Sequence, residues 1–388
     1  MRIAMIGCKG IPASLARGGG VERHVEILST KLVRMGHDVT VYVRPYANPR
    51  GNTSFKGCHL VTLPSIRTKY LDAWTHTFVS LCHAITQKYD VIHIHGVGPS
   101  TLAWIPRVFA PRASVVVTFH SQDQFHEKWN VFGRLYLAWG EWTALHFPNA
   151  TIAVSHVIQQ YCKKAFHITP YFIPNGVDLG EMRYGTARIR KMGLEPDKYF
   201  LGLGRLIPHK AYDIALEAFY GLQTDMRLVI AGDAGYDTKT SERLFALAER
   251  DPRVLMAGFR SGEDLEQLIA HCRALIHPSR SEGLSVSVLE AMAMGKPVII
   301  SDIPENLEVV GGCGMVFQTD SIDGLRRLMQ RAIGHPEDLS VHGECGRDRV
   351  RELYAWESVA RKVELVYEVL REGRKASTLA SKQRILNT

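Results

Sequence analysis

Short apolar runs alternate with longer stretches of helical spacing through the first half of the chain. Arg2–Gly7 reads as a strand that stops at a glycine, and Val21–Met35 then carries apolar residues at helical spacing before Gly36. The later runs that predict strands in this half are Asp38–Val43, Val91–His95, Ser114–Phe119 and Thr151–Val154. Short strands separated by helices predict parallel strands joined by helical crossovers.

The same pattern begins again after residues 171–178, where Pro174, Asn175 and Gly176 are turn-forming residues. The strands predicted beyond this point are Tyr199–Gly204, Arg227–Gly232, Val254–Gly258, Ala274–His277 and Pro297–Ser301. The pattern therefore predicts an α/β protein with two doubly wound domains, one over residues 1–176 and one over residues 177–354, facing each other across a cleft. Ligands of such sheets bind outside the carboxyl ends of the strands.

The charge is divided unevenly between the two predicted domains. The 388-residue chain has a net charge of +8, but the part through Asp178 carries 18 basic and 9 acidic residues. Nucleic acid, an anionic membrane or a phosphorylated substrate would each match a basic half. Nucleic acid is the weakest of the three, because the sequence contains no zinc finger, RNA-recognition signature or run of clustered basic residues. Residues 372–388 are predicted to form a basic tail.

Two further observations concern the cellular compartment. No run approaches the ~18–20 apolar residues of a membrane-spanning helix, and the N-terminus lacks the pattern of a signal peptide. The seven cysteines are scattered without a C-x-x-C pair. This spacing argues against a zinc ribbon or a disulfide framework and favours a reducing cytoplasm.

In the first half, the candidate chemistry follows two strands. Gly18, Gly19 and Gly20 directly precede a helix, where backbone amides can approach an anion; a flexible loop is the alternative. The glycine spacing matches neither a dinucleotide-binding fingerprint nor a P-loop, which disfavours dehydrogenases and P-loop nucleotidases. His120 follows the strand Ser114–Phe119, at a position that suits either a ligand contact or a buried structural residue.

In the second half, two cations and two carboxylates follow strands. Arg205 ends a strand and Lys210 precedes the next helix, so the pair suits a pyrophosphate; a solvated basic loop is the alternative. Glu290 lies in the middle of a predicted buried helix, Leu284–Met294, where a carboxylate is costly unless it is hydrogen-bonded. With Glu282 before that helix, it suits sugar hydroxyls; the alternative is a structural Glu290 satisfied by an arginine or by water.

Together these motifs resemble the family 4 retaining glycosyltransferases, whose GT-B fold has two Rossmann-like domains. The segments that carry the resemblance are GGVERH, GHDVTV, TFHS, IPNGVD, Gly204-Arg205 with Lys210, and SEGLSVSVLEAMAMGKPVI. Residues 355–371 resemble the family's C-terminal helix, which crosses back onto the first domain. The turn at 232–235, GDAG, departs from the family's GDGP-like pattern, which leaves Asp233 an open candidate.

The resemblance implies a role for each matching residue. Arg205 and Lys210 would contact the donor diphosphate. Glu282 would bind the hydroxyls of the donor sugar, Glu290 would bind the ribose, and His120 would lie near the anomeric centre. The other implied donor contacts are Gly19, Gly20, Phe259, Gly283, Leu284 and Ser285. The implied catalytic residues are His120, Arg205, Lys210 and Glu282.

The implied reaction moves a sugar with retention from a nucleoside-diphosphate sugar, with UDP favoured over GDP, to a hydroxyl of a glycan or lipid-linked acceptor in cell-surface polysaccharide synthesis. No cofactor is implied, and the sequence has no D-x-D pair that would indicate a metal. A phosphorylase, a sugar-nucleotide epimerase and a catalytically silent GT-B binding protein are the alternatives.

The basic half also predicts peripheral contact with an anionic membrane, at the inner face of the cell membrane. Lys128–Phe147 adds an aromatic stripe at helical spacing: Trp129, Phe132, Tyr136, Trp139 and Trp142. Such a stripe is more typical of a core than of a membrane anchor, so the membrane prediction rests on the charge.

Overall fold

The chain folds as two units in a computed structural model that describes residues 1–68, 71–122, 131–179, 184–233 and 238–373. Unit 1 comprises Met1–Asn175 together with Trp356–Thr388, and unit 2 comprises Gly176–Ala355. Each unit is built on a doubly wound, largely parallel sheet with helical crossovers, as the alternation of apolar runs predicts.

Unit 1 contains an eight-stranded sheet. Its strands are β1 (Arg2–Ile6), β2 (Asp38–Val43), β3 (Ser54–Phe55), β4 (Cys58–Thr62), β5 (Val91–His95), β6 (Ser114–Phe119), β7 (Ala150–Ala153) and β8 (Tyr171–Phe172). The helices that connect them are α1 (Gly20–Arg34), α2 (Leu71–Ala84), α3 (Val97–Ser100), α4 (Trp104–Phe109), α5 (Val131–His146) and α6 (His156–Phe166). The strand order is β3-β4-β2-β1-β5-β6-β7-β8, and β3 alone among these strands is antiparallel to its neighbour.

Unit 2 contains a six-stranded parallel sheet. Its strands are β9 (Tyr199–Leu203), β10 (Arg227–Ala231), β11 (Val254–Gly258), β12 (Ala274–His277), β13 (Val298–Ser301) and β14 (Met315–Phe317), in the order β11-β10-β9-β12-β13-β14. Its helices are α7 (Ala187–Lys191), α8 (Tyr212–Tyr220), α9 (Thr238–Ala248), α10 (Glu263–His271), α11 (Val286–Ala293), α12 (Pro304–Val310), α13 (Ile322–Gly334) and α14 (Pro336–Leu353).

The strand orders identify where each sheet can hold a ligand. In unit 1 the order reverses between β1 and β5, and in unit 2 it reverses between β9 and β12. The loops that leave the two strands at such a point diverge to opposite faces of the sheet and open a crevice at its carboxyl edge. The predicted site residues follow these strands or their neighbours, except for Phe259, which follows the edge strand β11. The topology therefore brings most of them to the two crevices.

The last helix, α15 (Trp356–Glu372), belongs to unit 1. Trp356, Val359, Val363 and Tyr367 form its buried face and join the core that contains β1, β2 and the apolar side of α1. At the rim of this contact, His37 Nε2 lies 2.8 Å from Glu364 Oε1. The chain therefore returns to unit 1 to complete its core.

One inference from the cysteines is wrong: Cys313 and Cys345 of unit 2 are joined by a disulfide. The two residues are 32 positions apart, one before β14 and the other in α14, and their Cα atoms lie 5.4 Å apart. Sequence spacing did not indicate this pair because the packing of α14 brings the two residues together. The other five cysteines are free, and Cys82 is the exposed one among them.

The contact between α15 and the rest of unit 1 generates a prediction. Trp356 is 1% exposed, so Trp356→Ala should lower the free energy of unfolding by about 3–5 kcal/mol through lost burial and a residual cavity. Urea denaturation followed by far-UV circular dichroism measures this loss. Trp139→Ala, at a half-exposed tryptophan of the same unit, is the matched control and should cost much less. Equal losses in the two variants would contradict the role of α15.

Candidate active site

A largely buried ion pair occupies the crevice of unit 2. The Nζ atom of Lys210 donates to Glu282 Oε1 at 2.6 Å, and the side chains of Lys210 and Glu282 are 13% and 11% exposed. Nε2 of His277, the last residue of β12, lies 2.9 Å from the same carboxylate oxygen and 3.1 Å from Ser279 Oγ. One carboxylate oxygen therefore accepts from both a cation and an imidazole.

The protonation states follow from burial and charge. Burial by itself would raise the pKa of Glu282, but the Lys210 ammonium and His277 hold it well below its usual range. Burial lowers the pKa of His277, against the opposing effect of the Glu282 carboxylate. His277 is therefore neutral at pH 7, with its proton on Nε2, while its Nδ1 is buried without a hydrogen-bond partner among the described residues.

Arg205 follows β9 at the same crevice. Its guanidinium is exposed and forms no ion pair within the described part of the chain. The backbone before it is crowded, because a Cβ on Gly204 would lie 2.9 Å from Tyr212 Oη and one on Gly232 would lie 1.7 Å from the Gly204 carbonyl oxygen. Glycine at both positions allows the loops after β9 and β10 to contact each other. This contact positions the backbone of Arg205.

Glu290 is less buried than the sequence pattern predicts. The helix that carries it, α11, spans Val286–Ala293, shorter than the predicted Leu284–Met294, and Glu290 is only half-buried within it. The expectation of a carboxylate in an apolar interior is therefore wrong. Burial raises the pKa of the Tyr184 phenol, and the nearby carboxylates of Glu266 and Glu290 add to the effect. The position of Glu290 beside a tyrosine and solvent is compatible with a ligand contact.

The remaining candidates of unit 2 surround the same edge of the sheet. Gly283, Leu284 and Ser285 are buried in the segment that leads into α11, and Ser285 is the residue at its N-terminal cap. Phe259 is half-buried directly after β11. All four lie after carboxyl ends of strands of this sheet, as predicted. Asp233, the open candidate, is half-buried after β10, and its backbone carbonyl accepts from the Leu206 amide.

In unit 1 the glycine loop is held by two glutamates that sequence reasoning did not assign. Gly19 is the N-cap of α1 and Gly20 is its first residue. Glu22 accepts from the backbone amides of Gly19 at 2.8 Å and Lys9 at 3.1 Å, while Glu26 accepts from the amide of Ala13 at 2.8 Å. The G-G-x-E spacing, with an acidic residue three positions after the cap, was the available signal.

His120 lies at the crevice of unit 1, directly after β6, and is 7% exposed. It belongs to a cluster with His95, the last residue of β5, and His24 of α1. Burial lowers the pKa of His120 well below its usual range, and the neighbouring His24 and His93 add to the effect. His120 is therefore a neutral imidazole at pH 7. Sequence reasoning singled out His120 but not the cluster around it.

A second buried ion pair lies in unit 1 and joins the residue after β2 to α2. Arg44 directly follows β2, and its Nη1 donates to Asp72 Oδ2 at 2.6 Å. Tyr46 and Ser65 donate to the two oxygens of the same carboxylate, each at 2.7 Å. This group was not predicted, because its members are scattered over nearly thirty residues and form no motif.

Comparison with known proteins identifies the class. The family model described as "Glycosyltransferase Family 4" matches residues 18–181, and the model described as "Glycosyl transferases group 1" matches residues 187–349. The two matches together cover most of the chain. The chain belongs to the family 4 glycosyltransferases, and its fold is GT-B.

Several characterised proteins are similar over much of this length. The chain is 24% identical to one polypeptide of the Arabidopsis thaliana phosphatidylinositol N-acetylglucosaminyltransferase, over 90% of this chain and 78% of that protein. It is 27% identical to the Escherichia coli UDP-Gal:alpha-D-GlcNAc-diphosphoundecaprenol alpha-1,3-galactosyltransferase, over 63% of this chain and 66% of that protein. The structure of Anabaena HepE in complex with UDP-glucose superposes with a TM-score of 0.77 at 19% identity, covering 95% of this chain and 99% of HepE.

Within the described helices, none is both long and apolar enough to cross a bilayer.

The buried pair of unit 2 generates a stability prediction. Lys210→Met leaves the Glu282 carboxylate buried without its cation, so unit 2 should lose roughly 3–5 kcal/mol of its free energy of unfolding. Lys198→Met is the matched control, because Lys198 pairs with Asp225 at 2.8 Å on the exposed surface. That exposed pair should contribute nothing measurable. Urea denaturation of both variants measures the difference, and similar stabilities would contradict the burial of the pair.

The same pair fixes the pH dependence of stability. The folded-state pKa of Glu282 lies below its unfolded value near 4.5, so its contribution is fully present above pH 4.5. It is lost as the pH falls through the folded-state value. Glu282→Gln should remove this part of the acid dependence. An unchanged stability profile below pH 4.5 in the variant would contradict the assignment.

Proposed function

We propose that the protein is a retaining glycosyltransferase that moves a sugar from a nucleoside-diphosphate sugar to a hydroxyl of a glycan or lipid-linked acceptor. The observation that carries this proposal is the crevice of unit 2, where a buried Lys210–Glu282 pair lies beside the exposed Arg205. UDP is favoured over GDP as the carrier, and the UDP-glucose bound by HepE, with the same fold, supports that choice. Cell-surface polysaccharide synthesis is the proposed setting.

The two cations suit the leaving group. In transfer, the bond between the anomeric carbon and the phosphate oxygen breaks, and negative charge develops on the diphosphate. Lys210, which is held by Glu282, supplies positive charge at a fixed position, and the exposed Arg205 supplies a second positive charge beside it. Such preorganised charge stabilises a transition state without reorganisation. No step of the proposed reaction requires a divalent metal at the diphosphate.

Retention follows if the acceptor attacks from the face that the phosphate leaves. The acceptor oxygen then forms the new bond to the anomeric carbon, and its proton passes to the departing phosphate oxygen. Glu282 is proposed to orient the hydroxyls of the donor sugar, and Glu290 to bind the ribose. His120 is proposed to lie near the anomeric centre, where its neutral imidazole can exchange hydrogen bonds with the sugar. None of these residues needs to act as a base.

We further propose a lipid-linked acceptor and peripheral membrane contact. The relatives named above include transferases whose names specify phosphatidylinositol and a diphosphoundecaprenol-linked sugar. One face of α5 presents large apolar side chains to solvent, with exposures from 37% to 70%: Val131, Leu135, Trp139 and Trp142. The interpretation of this stripe as core is wrong for Trp139 and Trp142; Trp129 and the Phe132 side chain lie outside the described residues.

Basic residues accompany this apolar face. The Trp142 ring stacks on His146 at 4.5 Å, and His146 contacts the Phe166 ring of α6, the helix that carries the exposed Lys163 and Lys164. An aromatic surface flanked by lysines suits the interface of an anionic bilayer. Each basic residue near such a surface contributes about 1 kcal/mol, so a few of them support reversible binding.

The proposed role of the cations predicts a large kinetic effect. Arg205→Ala should lower kcat roughly 10²-fold or more, because the charge that Arg205 meets forms mainly in the transition state. Initial rates of sugar transfer from UDP-sugars measure this loss, and EDTA should leave the rate of metal-free parent protein nearly unchanged. Arg227→Ala, at a cation that starts β10 far from the carboxyl edge, is the matched control. A rate within twofold of the parent would make Arg205 a solvated bystander.

The exposed face of α5 predicts membrane binding that can be separated from catalysis. Trp139→Ala with Trp142→Ala should strongly reduce co-sedimentation with vesicles that contain phosphatidylglycerol, because the apolar anchor is lost. Val341→Ala, at an exposed apolar residue of unit 2, should leave co-sedimentation unchanged. High salt should weaken binding of the parent, since the lysine contribution is screened. If the parent protein stays in the supernatant as fully as the double variant does, the membrane proposal is refuted and the transferase proposal still stands.

A further inference from the structure

Three histidines from different elements meet in unit 1. His24 lies on α1, His95 ends β5 and His120 follows β6, and their exposures are 3%, 1% and 7%. One nitrogen from each ring lies within 4.8 Å of the others. Nδ1 of His95 and Nε2 of His120 lie 3.3 Å apart. Three buried imidazoles at such distances form a compact set of nitrogen donors.

The cluster contains an unsatisfied lone pair. Nδ1 of His24 lies 2.9 Å from Asn175 Oδ1, so Nδ1 carries the proton and donates to the amide oxygen. The other nitrogen, Nε2, is buried and has no hydrogen-bond partner among the described residues. A buried acceptor without a partner is costly in free energy. A group that accepts the lone pair of His24 Nε2 would remove this cost.

The neighbouring His93 shows the contrast. Its Nδ1 lies 2.6 Å from Tyr367 Oη and its Nε2 lies 2.7 Å from Thr118 Oγ1, so both nitrogens are satisfied within the protein. His93 is therefore a structural histidine, although its ring lies only 4.1 Å from that of His95. In the cluster, Nδ1 of His95 and Nε2 of His120 contact each other at 3.3 Å, and Nε2 of His95 lies 3.4 Å from Met5 Sδ. A metal ion would replace the contact between the two imidazoles, which leaves His24, His95 and His120 as the ligand set.

We propose that His24, His95 and His120 bind one divalent first-row transition metal, with Zn²⁺ as the best match and a fourth position open to water. Imidazole nitrogens suit Zn²⁺, and three protein ligands with one open position are typical of accessible zinc sites. Zn–N bonds of about 2.0–2.1 Å at tetrahedral angles place ligand nitrogens about 3.3 Å apart. The pair formed by His95 and His120 already has this spacing.

The surroundings suit a metal in two further ways. The Nε2 atom of His24 has no hydrogen-bond partner among the described residues, so no donor competes for its lone pair. The contact between Nδ1 of His24 and Asn175 also fixes the tautomer and the ring orientation, as the outer partner of a metal-bound histidine does. The third nitrogen has to approach the other two by no more than roughly 1.5 Å to complete the geometry.

The site has a consequence for the reaction, and this step alone rests on the proposed function. A bound ion would hold the His120 imidazole that we assign to the donor sugar. Zn²⁺ should therefore inhibit transfer, and a chelator should restore it. This inhibition agrees with a reaction that itself needs no metal at the diphosphate.

The test measures metal binding without donor or acceptor. Tag-free full-length protein, stripped with a chelator, is titrated with Zn²⁺ in competition with a chromophoric chelator. We expect one equivalent to bind. Asn175→Ala should weaken binding roughly 10- to 100-fold, and His24→Gln by at least as much. His146→Gln, at an exposed histidine of the same unit, should bind as the parent does and controls for surface histidines.

A second measurement covers variants that fail to fold. Parent protein loaded with Co²⁺ should give the intense visible bands of a four- or five-coordinate ion with nitrogen ligands. Weak bands of an octahedral ion, no stoichiometric Zn²⁺ binding, or unchanged affinity in folded His24→Gln would overturn the proposal. Stoichiometric binding without inhibition of transfer would support the metal site and contradict only the assignment of His120 to the donor sugar.

Discussion

Burying the Glu282 carboxylate costs free energy that its two neighbours have to offset. Lys210 supplies the opposite charge at 2.6 Å and His277 supplies a hydrogen bond at 2.9 Å. Because a buried charge without its partner is strongly destabilising, the loops after β9 and β12 are fixed relative to each other. The same contact holds Lys210 beside the exposed Arg205. The Lys210 ammonium therefore depends on the Glu282 carboxylate for its position. The carboxylate in turn depends on the ammonium to remain ionised where it is buried.

Close backbone contacts at glycines also fix the positions of loops at the carboxyl edge of each sheet. In unit 1, a Cβ on Gly7 would lie 2.5 Å from the carbonyl oxygen of His95, so glycine is required for the loop after β1 to pass β5. In unit 2, Gly232 allows the same approach to Gly204. The glycines bring polar groups to the points where strand order reverses, and the glutamates Glu22 and Glu26 hold the first loop in place.

Much of this architecture was predictable from the sequence, because the spacing of apolar residues alternates along the chain between that of a strand and that of a helix. The bounds of β2, β5, β6, β11 and β12 agree with the predicted strands, whereas the two-residue strands β3 and β8 are too short to leave a periodic signal. Lys210 and Glu282 were recognisable because each lies in a loop between a strand and the following helix, and because the motifs around them resemble those of the family. Their direct pairing was not, since it depends on how two loops fold.

The errors have a common physical origin. An apolar period describes the helix alone. It therefore made Glu290 appear more buried than it is and made Trp139 appear to belong to the core. The pairing of Cys313 with Cys345 likewise depends on how α14 packs. Long-range packing, rather than local pattern, decides exposure and pairing.

The most direct test of the central claim is the configuration of the product. Sugar transfer from an α-linked nucleoside-diphosphate donor, followed by proton NMR coupling at the anomeric carbon, reports whether the acceptor attacks from the face that the phosphate leaves. The account predicts an α-linked product, since in the proposed mechanism the acceptor attacks from the face that the diphosphate leaves and the departing oxygen takes the proton. A β-linked product would contradict it, because inversion requires backside attack assisted by a base that the proposed mechanism does not contain.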